Sequence, residues 1–135
     1  MTNTKKQAIV ETSTPKIKEA KIYDLEARTQ EFARKCRVFV RALLKDIPNR
    51  EDGKQLIRSS GSVAANYIEA NEALSKKDFL FRLKVSRKEV KESRLWLNLI
   101  LADLSEADLQ KLLVQESEEL LRIFSTIIKK SESNE

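Results

Sequence analysis

Histidine is absent from this chain of 135 residues, and cysteine occurs once, at Cys36. Zinc sites draw several ligands from Cys and His, and an internal disulfide needs two thiols, so both are excluded within one chain. Without histidine, acid–base or nucleophilic chemistry falls to carboxylates, lysines and tyrosines. No spacing of those residues points to a reaction centre, so a non-enzyme without cofactors is expected. Glycine and proline occur twice each, at Gly53, Gly61, Pro15 and Pro48. Multistranded folds draw heavily on both residues for tight turns, so the chain reads as a few long helices with few connections. Long hydrophobic runs are missing too. Stretches such as Leu95–Leu101, interrupted by Asn98, are too short to span a bilayer, and no secretory apolar segment opens the chain. With a lone thiol suited to a reducing compartment, a cytoplasmic protein with no membrane partner is the expectation.

Charged residues make up 35% of the chain and apolar ones 41%, a balance that suits amphipathic helices around one shared core. Residues 1–22 carry five lysines against two glutamates, with a proline and no sustained apolar period, and read as a flexible basic arm. The bundle is expected over 23–130. Asp24 opens a first helix at about 24–45, with Leu25, Phe32, Cys36, Phe39, Leu43 and Ile47 on one face. Cys36, among aromatics at helical spacing, reads as a buried structural thiol. Asp46-Ile47-Pro48-Asn49 separates it from a second helix at about 50–73, striped by Leu56, Ser60, Val63, Tyr67, Ala70 and Leu74. Small residues Ser59-Ser60-Gly61-Ser62 lie midway. Either a neighbouring helix approaches closely there, or the helix breaks at Gly61. Ser75 with Asp78, and Ser105 with Asp108, give capping patterns for helices at about 76–102 and 106–130. Residues 131–135 read as a frayed tail. Helices of matched length joined by short links predict an all-α, antiparallel up-down-up-down four-helix bundle.

Net charge is +5, and its placement is more informative than its sum. Lys84, Arg87, Lys88, Lys91 and Arg94 occupy about a third of the third helix's circumference. Arg34, Arg37 and Arg41 form a narrower stripe on the first. If the stripes adjoin, within the bundle or across a subunit boundary, they make a basic patch suited to nucleic-acid phosphates. The alternative is a pair of solvated faces balanced by the acidic fourth helix, with no interleaved aromatics for stacking on bases.

Phe81, Val85, Trp96 and Leu99 point away from the Phe79–Leu97 stripe of the third helix. They read as an oligomer interface anchored by Trp96 and Phe81, or as core that wraps further round the helix.

The segment from Arg58 to Ile100, RSSGSVAANYIEANEALSKKDFLFRLKVSRKEVKESRLWLNLI, resembles a bacterial four-helix-bundle family first noticed as reading frames in intervening sequences of large-subunit ribosomal RNA genes. Arg58-Ser59-Ser60, Ala65-Asn66 with Glu69-Ala70, Ser75-Lys76-Lys77-Asp78-Phe79 and Glu89 to Trp96 carry the resemblance, which spans roughly residues 24–128. It implies a bundle that assembles into a ring-like pentamer and has no established enzymatic activity. A more distant similarity is to the accessory protein of diversity-generating retroelements, which binds nucleic acid and a reverse transcriptase through a basic surface. Arg58, Asn66, Glu69, Glu89 and Glu92 match polar positions of the family motif. They either line a contact surface or bond one another and a neighbouring helix. The functional expectation is a non-catalytic homo-oligomer that contacts RNA or DNA backbone through its basic residues. The alternative is a protein-interaction scaffold or adaptor.

Overall fold

The computed structural model describes residues 24–134, so the basic arm expected over 1–22 lies outside the described residues. Four helices follow in order: α1 (Leu25–Ala42), α2 (Ile47–Asn71), α3 (Lys76–Leu99) and α4 (Leu104–Ser133), and no strand occurs among the described residues. The helices pack as a ring, α1 on α2, α2 on α3, α3 on α4, and α4 back on α1. Links of four residues make successive helices antiparallel, which leaves α1 and α3 at diagonal corners.

One apolar stripe from each helix fills the centre. Phe32 and Phe39 of α1, Leu56 and Val63 of α2, Leu83 and Leu97 of α3, and Leu120 and Phe124 of α4 are all essentially inaccessible. Each side chain of this size contributes about 1.5–3 kcal/mol on full burial. Tyr67 meets Phe124 edge-on, with ring centroids 5.8 Å apart. Cys36 is buried among them, and loss of solvent pushes its thiol up to about 12 despite the opposing Ser60 hydrogen bond and Arg37 charge.

α2 runs unbroken through Gly61. The small residues serve two neighbours at once. A Cβ on Gly53 would lie 2.9 Å from Val40 Cγ1 of α1, so that helix rests directly against the glycine backbone. On the other side, the Ser59 and Ser93 hydroxyls lie 2.8 Å apart, and Ser86 Oγ donates to the Val63 carbonyl at 3.0 Å. Close packing and satisfied hydroxyls together explain how serines occupy core positions.

Helix ends differ from the sequence expectation by a few residues. α1 stops at Ala42, and α2 starts at Ile47 instead of about Arg50, with the Asp46 carboxylate accepting from the Asn49 amide at 2.9 Å. Ile47 and Leu74, expected on the inner faces, are exposed instead, because Ile47 opens α2 and Leu74 lies in the link between α2 and α3. Pro48 sits in the first turn of α2, where its missing N–H has no intrahelical partner to lose, so it opens that helix. Ser75 caps α3 as its motif predicts, accepting from the Asp78 amide at 3.1 Å. α3 ends at Leu99, short of Ala102, because Ile100 is extended. α4 starts at Leu104 behind Asp103, whose carboxylate accepts from Ser105 Oγ at 2.7 Å, and it continues helical through Ser133, across most of the expected frayed tail.

Candidate nucleic-acid interface

Lys84 and Lys91 are seven residues apart on α3, as are Arg87 and Arg94, so the four share one flank of the helix at about 3.6 residues per turn. A 2.8 Å ion pair from Lys84 Nζ to Glu132 Oε2 sets this flank beside α4. The Lys84 hydrogen bond, with help from the Arg87 charge, holds the Glu132 carboxyl below the usual carboxylate range. Lys84, Lys88 and Lys91 are exposed, whereas Arg87 and Arg94 lay their stems along the protein and are half-buried. Among the described residues, no carboxylate lies within ion-pair distance of Arg87, Lys88, Lys91 or Arg94.

The α1 stripe lies elsewhere. Arg37 Nη1 donates to the Ala33 carbonyl at 3.0 Å, and Nη2 reaches the Ile57 carbonyl of α2 at 3.5 Å. Arg37 is therefore half-buried in the α1–α2 seam. Arg34 and Arg41, about one turn to either side, share that flank and are exposed, with Arg34 paired to Glu31. One stripe faces α4 and the other α2, on helices at diagonal corners. They do not adjoin within one bundle, and only a second copy can bring them together.

Four of the five motif polar residues sit on the α2–α3 seam. Arg58 Nη2 donates to Glu92 Oε1 at 2.9 Å and to Glu89 Oε1 at 3.4 Å, with Glu89 buried. Asn66 Nδ2 donates to the Ser62 carbonyl and hydroxyl, and Asn66 Oδ1 accepts from Arg82 Nη1 at 3.0 Å. Glu69 is exposed, and its side chain has no hydrogen bond or ion pair to any described residue. Sequence reasoning missed Arg82, which lies seven residues before Glu89 and so shares its side of α3. It also missed Arg28, whose guanidinium binds Glu116 through two 2.8 Å bonds and Glu119 at 3.2 Å, tying α1 to α4. The Glu116 hydrogen bonds raise the Arg28 pKa further.

The candidate interface residues divide in two. Phe81 and Leu99 are 57% and 52% exposed, with the Arg82 guanidinium over the Phe81 ring at 5.6 Å. Val85 and Trp96 are half-buried, and Trp96 packs on the core with its indole N–H buried and without a partner among the described residues. A second apolar surface escaped the sequence reading, which placed Ile47 on the inner face of the first helix. Leu44, Ile47, Leu101 and Leu104 are 73%, 76%, 85% and 94% exposed at one pole of the bundle. Asn49 holds the two loops of that pole together, donating to the Leu44 carbonyl at 3.0 Å and the Leu101 carbonyl at 3.3 Å.

No group of three or more Cys, Asp or Glu suited to holding a metal occurs among the described residues, and none of their helices is long and apolar enough to cross a membrane. The fold and its surfaces define a small antiparallel bundle with polar helix seams, a basic flank and exposed apolar patches. Residues 23–126 match the 23S rRNA-intervening sequence protein family, and the chain belongs to that family. Its structure is similar to the crystal structure of a protein of unknown function from the S23 ribosomal protein family of Bacteroides thetaiotaomicron. The two are 27% identical with a TM-score of 0.66, over 77% of this chain and 97% of that one. No curated protein matches the chain.

Proposed function

We propose that this protein is a non-catalytic, self-associating bundle that binds the phosphate backbone of RNA or DNA through the α4-side flank of α3. The observation that carries the reading is the row of Arg87, Lys88, Lys91 and Arg94 without a carboxylate at ion-pair distance among the described residues. Cations that lack a protein partner release counterions when they meet phosphates, which is the main source of sequence-independent affinity. One row is modest. A ring such as the pentamer implied by family resemblance repeats it around the assembly, and it also supplies the second copy needed to bring the Arg34–Arg41 stripe near. The family's name makes 23S ribosomal RNA the first ligand to test. The reading places the protein in the cytoplasm.

The experiment is a filter-binding titration with structured RNA and duplex DNA across salt concentrations. Affinity is expected to fall steeply with salt, by a slope of about 0.9 per phosphate contacted on duplex DNA. Arg87→Glu with Lys91→Glu should remove most of it. No affinity at low salt for either ligand refutes the reading, and unchanged affinity in the double variant moves the site off α3. The exposed apolar pole at Leu101 and Leu104 favours a second reading, a protein-interaction scaffold. A protein partner retained by the wild-type chain and lost on Leu101→Asp, with no nucleic acid recovered, supports it.

A further inference from the structure

A second stripe runs along α3. Phe81, Val85, Lys88, Glu92, Leu95 and Leu99 recur at alternating steps of four and three residues, the spacing that keeps one face of a helix against another helix. At about 100° per residue, all six lie within about 40° of the side opposite Val90, which is buried in the core. The stripe therefore looks away from the bundle. Phe81, Leu95 and Leu99 are 57%, 48% and 52% exposed, and Val85 is half-buried. Its ends are apolar, and its middle carries one cation and one anion.

The order of these residues is symmetrical. Phe81 and Leu99 stand nine residues either side of Val90, Val85 and Leu95 five, and Lys88 and Glu92 two. Laid antiparallel against itself, the stripe sets Phe81 on Leu99, Val85 on Leu95 and Lys88 on Glu92, each pair twice. Laid parallel, it sets Lys88 on Lys88 and Glu92 on Glu92. Within one chain the two charges do not meet. They are four residues apart in the weaker order, with the cation N-terminal, and no ion pair forms between them. Lys88 is exposed with no carboxylate at ion-pair distance among the described residues. Glu92 bonds Arg58 at 2.9 Å, yet its side chain stays 36% exposed.

We propose that two copies of this chain pair through α3, antiparallel about a twofold axis level with Val90, with Lys88 of each copy against Glu92 of the other. The pairing deepens the self-association in the proposed function and rests on that part of it, not on nucleic-acid binding. Opposite charges between apolar pairs fix the register and reject the parallel arrangement. Head-to-tail contacts close a ring from two different patches, whereas this contact joins one patch to itself and is separate from them. A twofold axis perpendicular to two antiparallel helices keeps corresponding flanks on one side, so the α4-side flanks of both copies share a face. Lys84, Arg87, Lys91 and Arg94 lie on that face in duplicate, while Lys88 turns into the contact.

Light-scattering mass across a concentration series tests it, first with Lys88→Glu, which alters an exposed, unpaired side chain and should fold as the wild type does. That variant sets two pairs of like charges across the axis and should raise the dissociation constant of the pair about ten-fold or more, as should Glu92→Lys. Mixing the two variants restores opposite charges at both places and should restore the pairing. Cysteines fix the direction, since the native Cys36 is buried. Val85→Cys should cross-link to Leu95→Cys on another copy and not to itself, because antiparallel copies hold their Val85 positions about 15 Å apart along the helix, beyond the reach of a disulfide. A wild-type mass of one chain at every concentration overturns this contact together with self-association itself. A larger mass that Lys88→Glu leaves unchanged overturns this contact alone, as does Val85→Cys cross-linked to itself.

Discussion

Ser59 and Ser93 face one another across the α2–α3 seam with both residues fully buried and their hydroxyl oxygens 2.8 Å apart. Two small side chains let the helices approach, and each hydroxyl provides the other's partner. Ser93→Ala leaves Ser59 the Leu56 carbonyl at 3.4 Å as an acceptor, so a loss of about 1 kcal/mol is expected. Ser93→Leu must force the helices apart, at about 1–3 kcal/mol. Urea midpoints measure both. Equal losses would show that the hydrogen bond, and not the spacing, governs this seam.

The two glycines of α2 are expected to respond oppositely to alanine. Alanine gains about 1 kcal/mol of helix propensity at either site. At Gly53 the new methyl meets Val40 Cγ1 at 2.9 Å, and a β-branched side chain has few rotamers to escape into. At Gly61 the nearest atom is Arg37 Nη2 at 3.2 Å, the end of a long side chain that can swing aside. Gly53→Ala should lower the melting temperature, Gly61→Ala should leave it equal or higher, and Val40→Ala should relieve the Gly53 variant. Destabilisation of the same size at both positions would sink the distinction.

The same seams show how far the sequence could be read. Apolar spacing, scarce glycine and proline, and the Ser75–Asp78 cap were sufficient for the all-α bundle with four helices, because those signals act within one helix. Gly61 illustrates a reading the structure decides: its fit depends on Arg37 and α1, which no local pattern reveals. The basic stripes were legible as stripes, yet their opposite flanks depend on which helix sits at which corner. Arg28 was missed because its partners Glu116 and Glu119 lie on another helix, and the exposed pole because Leu44 and Leu101 lie in two links, with Ile47 and Leu104 opening the helices after them, that only folding brings together.

Arg58 supports Glu89 more than itself. Glu89 is buried, at 6% exposure, while the Arg58 side chain is half exposed. Removing the arginine leaves a carboxylate with little solvent, a loss that reaches about 3–5 kcal/mol for a fully buried pair and is reduced here by Arg58's exposure. Arg58→Ala is expected to destabilise by about 1–2 kcal/mol, and adding Glu89→Gln should recover part of it. A double-mutant cycle in denaturant measures the coupling. Additive losses would mean that the motif residues act separately, and would favour a contact-surface role for Arg58.

Cys36 gives a pH prediction with a definite sign. Burial raises its thiol to about 12 in the folded chain, while an unfolded thiol ionises at about 8.5. Folding therefore disfavours the thiolate. The associated stability is fully present below about 8.5 and is progressively lost as pH climbs toward 12. Cys36→Ala should flatten the stability profile over that window relative to wild type. A thiol reagent at pH 8 should modify the native protein only as fast as it opens, and immediate labelling would contradict the burial.

Trp96 and Phe81 looked equivalent as interface anchors in the sequence, and their surroundings separate them. Trp96 is half-buried and packs on the core, so Trp96→Ala changes bundle stability and any assembly together. Phe81 and Leu99 are more than half exposed on the outer face of α3, so charges there leave the core intact. If copies associate through that face, burying apolar surface at about 25 cal/mol per Å² drives the contact, and a glutamate at its centre opposes it. Phe81→Glu with Leu99→Glu is expected to lower the light-scattering mass while helicity and melting temperature stay near wild type. An unchanged mass that falls instead with Leu101→Glu and Leu104→Glu would transfer the interface to the exposed pole beside Asn49.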